Sequence, residues 1–260
     1  MSEPLALIEL EVINRVGWLR YNRPPLNAFN WQMVADVADG LARLSADPQV
    51  RVIVIGSAVE KYFSAGAELQ EFVDIGGVRM REWALRCHAI VHRLRDMPQP
   101  TLAAIGGTAV GGGLEMTLHC DLRFVGAGAR FGQPEINIGF IPPIATTQAL
   151  ARLIGRSRAI RYLYDGAILK ADEALRIGLV DEVVPDADLT AHVQAYAEAL
   201  AAKPRAALAA IRRTVTVGGG MSFEDGLALE LEEVVKLADD PDFAEGVDAF
   251  LAKRKPTWRD

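Results

Sequence analysis

Thr101-Leu102-Ala103-Ala104-Ile105-Gly106-Gly107-Thr108-Ala109-Val110-Gly111-Gly112-Gly113-Leu114-Glu115 is the stretch whose reading decides the fold. Thr101 to Ile105 is an uncharged, mostly apolar run, the pattern of a strand covered on both faces. Small residues then lead into a predicted helix start. Val52-Ile53-Val54-Ile55 repeats the pattern, ending at Gly56 and followed by Phe63-Ser64-Ala65-Gly66-Ala67-Glu68-Leu69. Leu122 to Val125 reads as another buried strand. Upstream, Ile8, Leu10 and Val12 alternate with Glu9 and Glu11, the period of a half-buried strand, and Val16 to Tyr21 follows a turn at Asn14-Arg15. A helix is predicted from about Asn30 to Ser45, with Asn30 as its cap and Met33, Val37, Leu41 and Leu44 on one face. Helical spacing returns from Val78 to Leu94. Strands alternating with helices in this way imply α/β layers.

The pattern changes near residue 185, after an apolar run from Val180 to Val184. Pro204 opens a predicted helix with Leu208, Ile211 and Val215 inward and Gly218 to Gly220 as its stop. Ser222 with Asp225 forms a capping-box-like start for another helix, carrying Phe223, Leu227, Leu231 and Val234. A third follows Pro241. Such short helices must pack on the main body or on another subunit. The expected organisation is therefore a core over residues 1–195 and a helical oligomerisation region over 196–260.

Composition narrows the function. The 260 residues carry 28 Lys and Arg against 34 Asp and Glu, a net charge of -6, and half of them are hydrophobic. That is a globular composition, and its acidity is a poor match for a phosphate backbone, so no nucleic-acid partner is expected. A chain of this length buries roughly three quarters of its unfolded surface and needs no metal or disulfide staple. The two cysteines, Cys87 and Cys120, are too few for a disulfide framework and suit a reducing, cytoplasmic compartment as small buried hydrophobes. Met1-Ser2-Glu3-Pro4 does not open a secretory signal. The uncharged stretch from Pro98 to Leu114 is too short and too rich in glycine to span a membrane.

Both glycine-containing segments place small residues between a strand and a helix. Small residues let a ligand approach the backbone, and a helix start offers unpaired N–H groups. Two such donors converging on one carbonyl oxygen would form an oxyanion hole; close helix–strand packing is the plainer alternative. No Gly-x4-Gly-Lys-Ser/Thr phosphate cradle or Gly-x-Gly-x-x-Gly spacing is present. Glu115, between Leu114 and Met116, and Glu135, within Phe131-Gly132-Gln133-Pro134-Glu135-Ile136, are carboxylates among uncharged neighbours. Such surroundings raise a pKa and suit proton transfer, although buried structural carboxylates look the same in sequence. His88 and His92 are four apart on a predicted helix but lack a third metal ligand. Ser64, His119 and Asp121 supply the residue types of a hydrolytic triad, but Ser64 lies in the wrong kind of turn.

Taken together and in order, these segments resemble the enoyl-CoA hydratase/isomerase (crotonase) family. The resemblance runs through Asn22-Arg23-Pro24 with Leu26-Asn27-Ala28, through Phe63 to Leu69, and through Gly111-Gly112-Gly113-Leu114-Glu115. It continues with Cys120-Asp121-Leu122, Phe131 to Glu135, Ala174 to Val180 and Phe250-Leu251-Ala252-Lys253-Arg254-Lys255. It implies a spiral of β-β-α units with a C-terminal helical trimerisation region, assembled as a trimer or dimer of trimers. It implies an acyl-CoA thioester substrate, with CoA as part of the substrate and neither a separate cofactor nor a metal. Backbone N–H groups of Ala67 and Gly112 would hold the thioester carbonyl, and Glu115 and Glu135 would activate one water. Leu26, Ala28, Ala65, Ala67 and Leu69 would line the CoA, with Phe250 and Lys253 reaching its nucleotide across a subunit boundary. Both glutamates together imply a hydratase. A Δ3-Δ2 enoyl-CoA isomerase, another crotonase-type hydrolase or lyase, and a non-catalytic acyl-CoA-binding homologue are the alternatives.

One segment departs from the family. Its frequent Ile-Pro-Gly-x-Gly-Gly-Thr-Gln is here Ile141-Pro142-Pro143-Ile144-Ala145-Thr146-Thr147-Gln148. Pro143 removes an N–H, and Thr146 adds bulk and a hydroxyl. The expectations are either a reshaped acyl pocket involving Pro143 and Thr146, or a shifted helix start with Pro143 near its first turn.

Overall fold

The computed structural model describes residues 5–259, so the expectation resting on Met1 to Pro4 lies outside the described residues. In chain order the strands are β1 (Ile8–Ile13), β2 (Val16–Tyr21), β3 (Val52–Ser57), β4 (Tyr62–Ser64), β5 (Thr101–Ile105), β6 (Thr108–Val110), β7 (Leu122–Gly126), β8 (Arg130–Gly132), β9 (Ile168–Lys170) and β10 (Glu182–Val184). The helices are α1 (Trp31–Ala46), α2 (Gly76–Asp96), α3 (Gly112–Thr117), α4 (Thr146–Ile154), α5 (Arg156–Asp165), α6 (Ala171–Ile177), α7 (Leu189–Ala201), α8 (Arg205–Thr216), α9 (Phe223–Ala238) and α10 (Pro241–Leu251).

The strands form two sheets. One has six strands in the order β1-β2-β3-β5-β7-β10, antiparallel only between β1 and β2. The other has four in the order β4-β6-β8-β9. Each of β3, β5 and β7 is followed by its successor in the smaller sheet, giving β3-β4-α2, β5-β6-α3 and β7-β8 with α4 beyond it. This is the expected spiral of β-β-α units.

Side-chain alternation explains why the runs Val52 to Ile55 and Leu102 to Ile105 are apolar throughout. Val52 and Val54 pack on one face with Leu102, Ala104, Phe124 and α7 residues Val193 and Ala197. Ile53 and Ile55 pack on the other with Ala103, Ile105 and the α1 residues Met33, Val37 and Leu41. Successive residues of a strand point to opposite faces, so a strand covered twice must be apolar throughout. The β1–β2 hairpin turns at Asn14 and Arg15, both at positive φ (49° and 68°), as a two-residue turn demands. The Asn30 side chain caps α1 by accepting the Met33 N–H at 2.8 Å.

The helical tail departs from one sequence expectation. Ile211 and Val215 do not face inward on α8; they are 62% and 69% exposed. The buried residues of α8 are Ala210 and Arg212. Phe223, Leu227, Leu231 and Val234 of α9 are exposed as well, and only Leu229 of that helix is buried. Apolar periodicity marks the face that avoids water, but in this chain the inward face of α8 is set by an arginine. Arg212 donates to Asp121 Oδ2 at 2.8 Å and to the carbonyls of Leu94, Arg95 and Met97 at the end of α2. It thereby satisfies carbonyls that have no partner inside the helix. The Ser222 hydroxyl accepts the Asp225 N–H, as its spacing implies.

Replacing Arg212 by Ala leaves Asp121 with only the Thr101 N–H and takes the donor from three helix-end carbonyls. The expected loss is about 3–5 kcal/mol of unfolding free energy, read from urea or guanidinium denaturation. A loss below about 1 kcal/mol would show that the tail is held by other contacts.

Candidate active site

The site forms where the connection from β4 to α2 meets the connection from β6 to α3. Phe29 donates its N–H to Gly66 O (2.7 Å) and accepts the Glu68 N–H (2.8 Å), so the segment around Ala67 runs beside residue 29 as a short parallel bridge. Those bonds turn the Ala67 N–H to the opposite side. Gly66 has φ +86°, and a side chain there would press within 2.9 Å of Val110 O and 3.4 Å of Gly112 N. Gly111 has φ +51°, and a side chain there would meet Glu135 Oε1 at 2.8 Å. Glycine is required at both positions by left-handed geometry and by proximity. Gly112 is the first residue of α3, where N–H groups have no intrahelical acceptor. Among the described residues, neither the Ala67 nor the Gly112 N–H is spent on a backbone hydrogen bond.

Both residues line a cavity of about 230 Å³. Phe29, Phe72, Trp83, Ile138, Phe140 and Ile144 supply much of its apolar wall, and Glu115 and Glu135 open into it. Trp83 is held edge-to-face by Trp31 and Phe72, with ring centres 5.1 Å apart in each pair. Among the described residues, no Lys, Arg or His lines this cavity.

Glu115 is fully buried on α3. Its Oε2 accepts the Ile144 N–H at 2.7 Å and the Thr146 hydroxyl at 2.8 Å, while Oε1 is buried without a hydrogen-bond partner. Burial, followed by the charge of Glu135, pushes its pKa up to about 8, against the lowering pull of those donors. Glu135 sits on the 3₁₀ turn Pro134–Ile138, and partial burial raises its pKa too. With its amide nitrogen facing Glu135, the buried Gln133 donates to both carboxylate oxygens, at 3.1 and 3.3 Å. Both carboxyl groups resist ionisation, and the charge of Glu135 further disfavours ionising Glu115.

Sequence-singled residues fall into three groups. Ala65, Ala67 and Leu69 line the cavity. Leu26 and Ala28 do not, but they are tied to its rim. Leu26 O accepts the Ala65 N–H at 2.9 Å, and Ala28 O accepts from Arg23, which also pairs with Glu68. Phe250 and Lys253 lie elsewhere within one chain. Phe250 is 82% exposed and borders a separate apolar hollow with Pro204, Phe243 and Trp258.

Pro143 lines the cavity, but Thr146 is fully buried behind Glu115 rather than on the wall. Pro143 is also not in the first turn of α4, which starts at Thr146 after Ala145. Ala145 holds φ +60° without being glycine, an uncommon backbone state for a residue with a Cβ.

The alternative constellations come apart. Ser64 is buried and donates to Asn27 O, His119 meets Ile144 O, and Asp121 binds Thr101 N–H and Arg212, so no triad forms. Among the described residues no His/Cys/Asp/Glu cluster could hold a metal. His88 instead contacts Pro143 O at 2.8 Å. Cys87 and Cys120 are free and buried. No described helix is long and apolar enough to cross a membrane. Sequence reasoning missed the roles of Gln133, Ile144, His88 and His119. Gln133 is only two residues from Glu135, but the others act across the fold and leave no local pattern.

The family model for enoyl-CoA hydratase/isomerase matches residues 11–260. The chain belongs to the enoyl-CoA hydratase/isomerase family. It is 32% identical over 252 residues to a crotonyl-CoA hydratase of Syntrophomonas wolfei, covering 96% of this chain and 97% of that one. It is 34% identical to an (E)-benzylidenesuccinyl-CoA hydratase of Thauera aromatica, over 97% and 98% of the two chains. Among solved structures, an enoyl-CoA hydratase of Geobacillus kaustophilus superposes with a TM-score of 0.95 at 30% identity, over 99% and 98%. Pseudomonas aeruginosa DspI superposes at 0.94 with 32% identity, over 99% and 98%. Family membership accounts for the two-sheet spiral.

The raised Glu115 pKa has a consequence for stability. A carboxyl group with a folded pKa above its unfolded one binds more protons in the folded state between the two values. Its contribution is therefore most favourable below about 4.5 and is lost as pH rises toward about 8. Glu115→Gln removes that loss. The variant should gain stability over the parent on going from pH 5 to pH 8, by an amount on the order of a few kcal/mol in paired denaturation curves. A difference that does not change with pH would place the Glu115 pKa near its ordinary value.

Proposed function

We propose that this chain is an enoyl-CoA hydratase that adds water to 2-enoyl-CoA thioesters carrying an uncharged, apolar acyl group. The observation that carries the reading is the presence of two unspent N–H groups, on Ala67 and Gly112, in the same cavity wall as two carboxyl groups. The thioester carbonyl oxygen takes the two N–H bonds. Water oxygen bonds to the β-carbon, and the π electrons move through the α-carbon onto that carbonyl oxygen. One preorganised donor is worth about 3 kcal/mol against such developing charge in comparable sites. One carboxylate accepts the water's proton, and the protonated carboxyl gives its proton to the α-carbon as the enolate collapses. The net change is H and OH across the double bond, with one proton still shared by the pair. A pair raised by burial and mutual repulsion suits this exchange, because one member is acid while the other is base.

The acyl class follows from the wall. A second carboxylate on the acyl chain would face Glu115 and Glu135 with no cation to balance it. Aromatic and aliphatic side chains favour a neutral apolar tail. Leu26, Ala28, Ala65 and Leu69 would flank the CoA arm at the rim. Phe250 and Lys253 would reach the nucleotide of a neighbouring copy in a trimer or dimer of trimers. The exposed apolar residues of α8 and α9 support such an assembly. The free, buried cysteines support a reducing, cytoplasmic setting.

The test follows the ultraviolet absorbance of the conjugated enoyl thioester across linear, branched, aromatic and carboxylated enoyl-CoAs. Loss of absorbance with neutral acyl groups is expected, and Glu135→Gln should slow it by about 10²–10⁴-fold. Failure to hydrate any member of the panel overturns the reading. Preference for the carboxylated substrate overturns the acyl assignment alone.

A further inference from the structure

We propose that Thr146 is a positioning residue that selects the working oxygen of Glu115, by donating its hydroxyl proton to Oε2 and leaving Oε1 for the cavity. The proposal rests on the reading of Glu115 as catalytic. It deepens that reading by assigning a role to a residue that stands where the family often has glycine.

The geometry is asymmetric. Oε2 accepts two hydrogen bonds, from the Ile144 N–H and the Thr146 hydroxyl, while Oε1 accepts none and is equally buried. A proton on Oε2 would collide with two donors already directed at that atom. When Glu115 is protonated, its O–H is therefore on Oε1. When it is ionised, the unshared lone pairs are on Oε1. In both states Oε1 is therefore the oxygen left to bond substrate or water. A carboxyl group with one anchored oxygen also loses the freedom to exchange its oxygens by rotation about the terminal bond, which is otherwise soft. Reactive orientation is thus set before substrate arrives.

Thr146 is itself held. It is fully buried as the first residue of α4. The strand of backbone before it is gripped from two directions: His88 Nε2 on α2 meets Pro143 O at 2.8 Å, and His119 Nε2 meets Ile144 O at 3.1 Å. Each imidazole faces a carbonyl, an acceptor only, so Nε2 must carry the proton.

Thr146→Val keeps the shape and removes the hydroxyl; Thr146→Ser keeps the hydroxyl and removes the methyl group. The groups that also act on Glu115 are Glu135 from the 3₁₀ turn and the Thr146 backbone N–H, with Cys87 of α2 coupled to it, while His88 and His119 contact the loop before Thr146. Burial pushes the Cys87 thiol up to about 12 and the His119 imidazole down to about 4, so neither changes charge between pH 5 and 9. Two readouts are compared across that range. One is the pH profile of kcat and kcat/KM. The other is the infrared carbonyl band of the protonated carboxyl group, assigned by its absence in Glu115→Gln.

Thr146→Val should move the Glu115 titration upward by about one pH unit, since a donor to the charged form is lost. It should lower kcat about tenfold with KM within about twofold, and Thr146→Ser should restore both. A Val variant that folds and titrates like the parent overturns the proposal, as does a Ser variant that behaves like Val. If the parent chain hydrates no enoyl-CoA, the proposed function fails. The infrared titration then still decides whether Thr146 controls Glu115.

Discussion

Everything at the site depends on two backbone segments passing in van der Waals contact. Residues 65–67 and 110–112 come from separate β-α connections, yet Gly66 lies where any side chain would strike Val110 O. Only at this separation can the Ala67 and Gly112 N–H groups serve one oxygen atom. The two-sheet spiral supplies the approach. The parallel β3–β5 and β4–β6 pairings place equivalent turns side by side, and α1 and α2 cover the outside. The proposed oxyanion site is therefore a property of neighbouring turns in a repeated unit rather than of one motif.

A second layer of the design is the unequal treatment of the two carboxyl groups. Glu115 is sealed into α3 with one oxygen anchored by a distant loop, while Glu135 sits on a short turn with Gln133 beside it. Both are raised by burial, and Glu115, the deeper of the two, is pushed up to about 8. Unequal surroundings let two chemically identical side chains take different roles toward a proton. The Pro143–Thr146 loop completes this arrangement. In place of three flexible glycines it has a proline, an alanine at positive φ and a threonine, stiffened by contacts with His88 and His119.

The helical tail follows a different logic. One buried guanidinium, Arg212, joins α8 to the end of α2 and to Asp121. Around it the apolar residues of α8 and α9 point outward. A helix oriented by a polar anchor leaves its hydrophobic stripe available to another surface. Phe250, on α10, shares this outward placement and lies apart from the cavity that holds Glu115 and Glu135.

The local pattern of the sequence determined much of this. The all-apolar run Val52 to Ile55 could only be a strand covered on both faces, because its side chains alternate and neither face tolerates water. Asn30 as a cap, the Asn14-Arg15 turn and the small residues of both glycine segments were legible for the same reason: each obeys short-range sterics or hydrogen bonding. The carboxylates Glu115 and Glu135 stood out by their uncharged neighbours. Tertiary structure alone decided the direction of α8, since a periodic stripe does not say whether core or solvent lies beside it. It alone decided that Thr146 stands behind Glu115 and not on the pocket wall, and that His88 and His119 contact the loop before Thr146. Those contacts join residues 31 and 55 positions apart or thereabouts in the chain, and a hydrogen bond formed over such distance is fixed by the packing of whole elements, which no local pattern encodes.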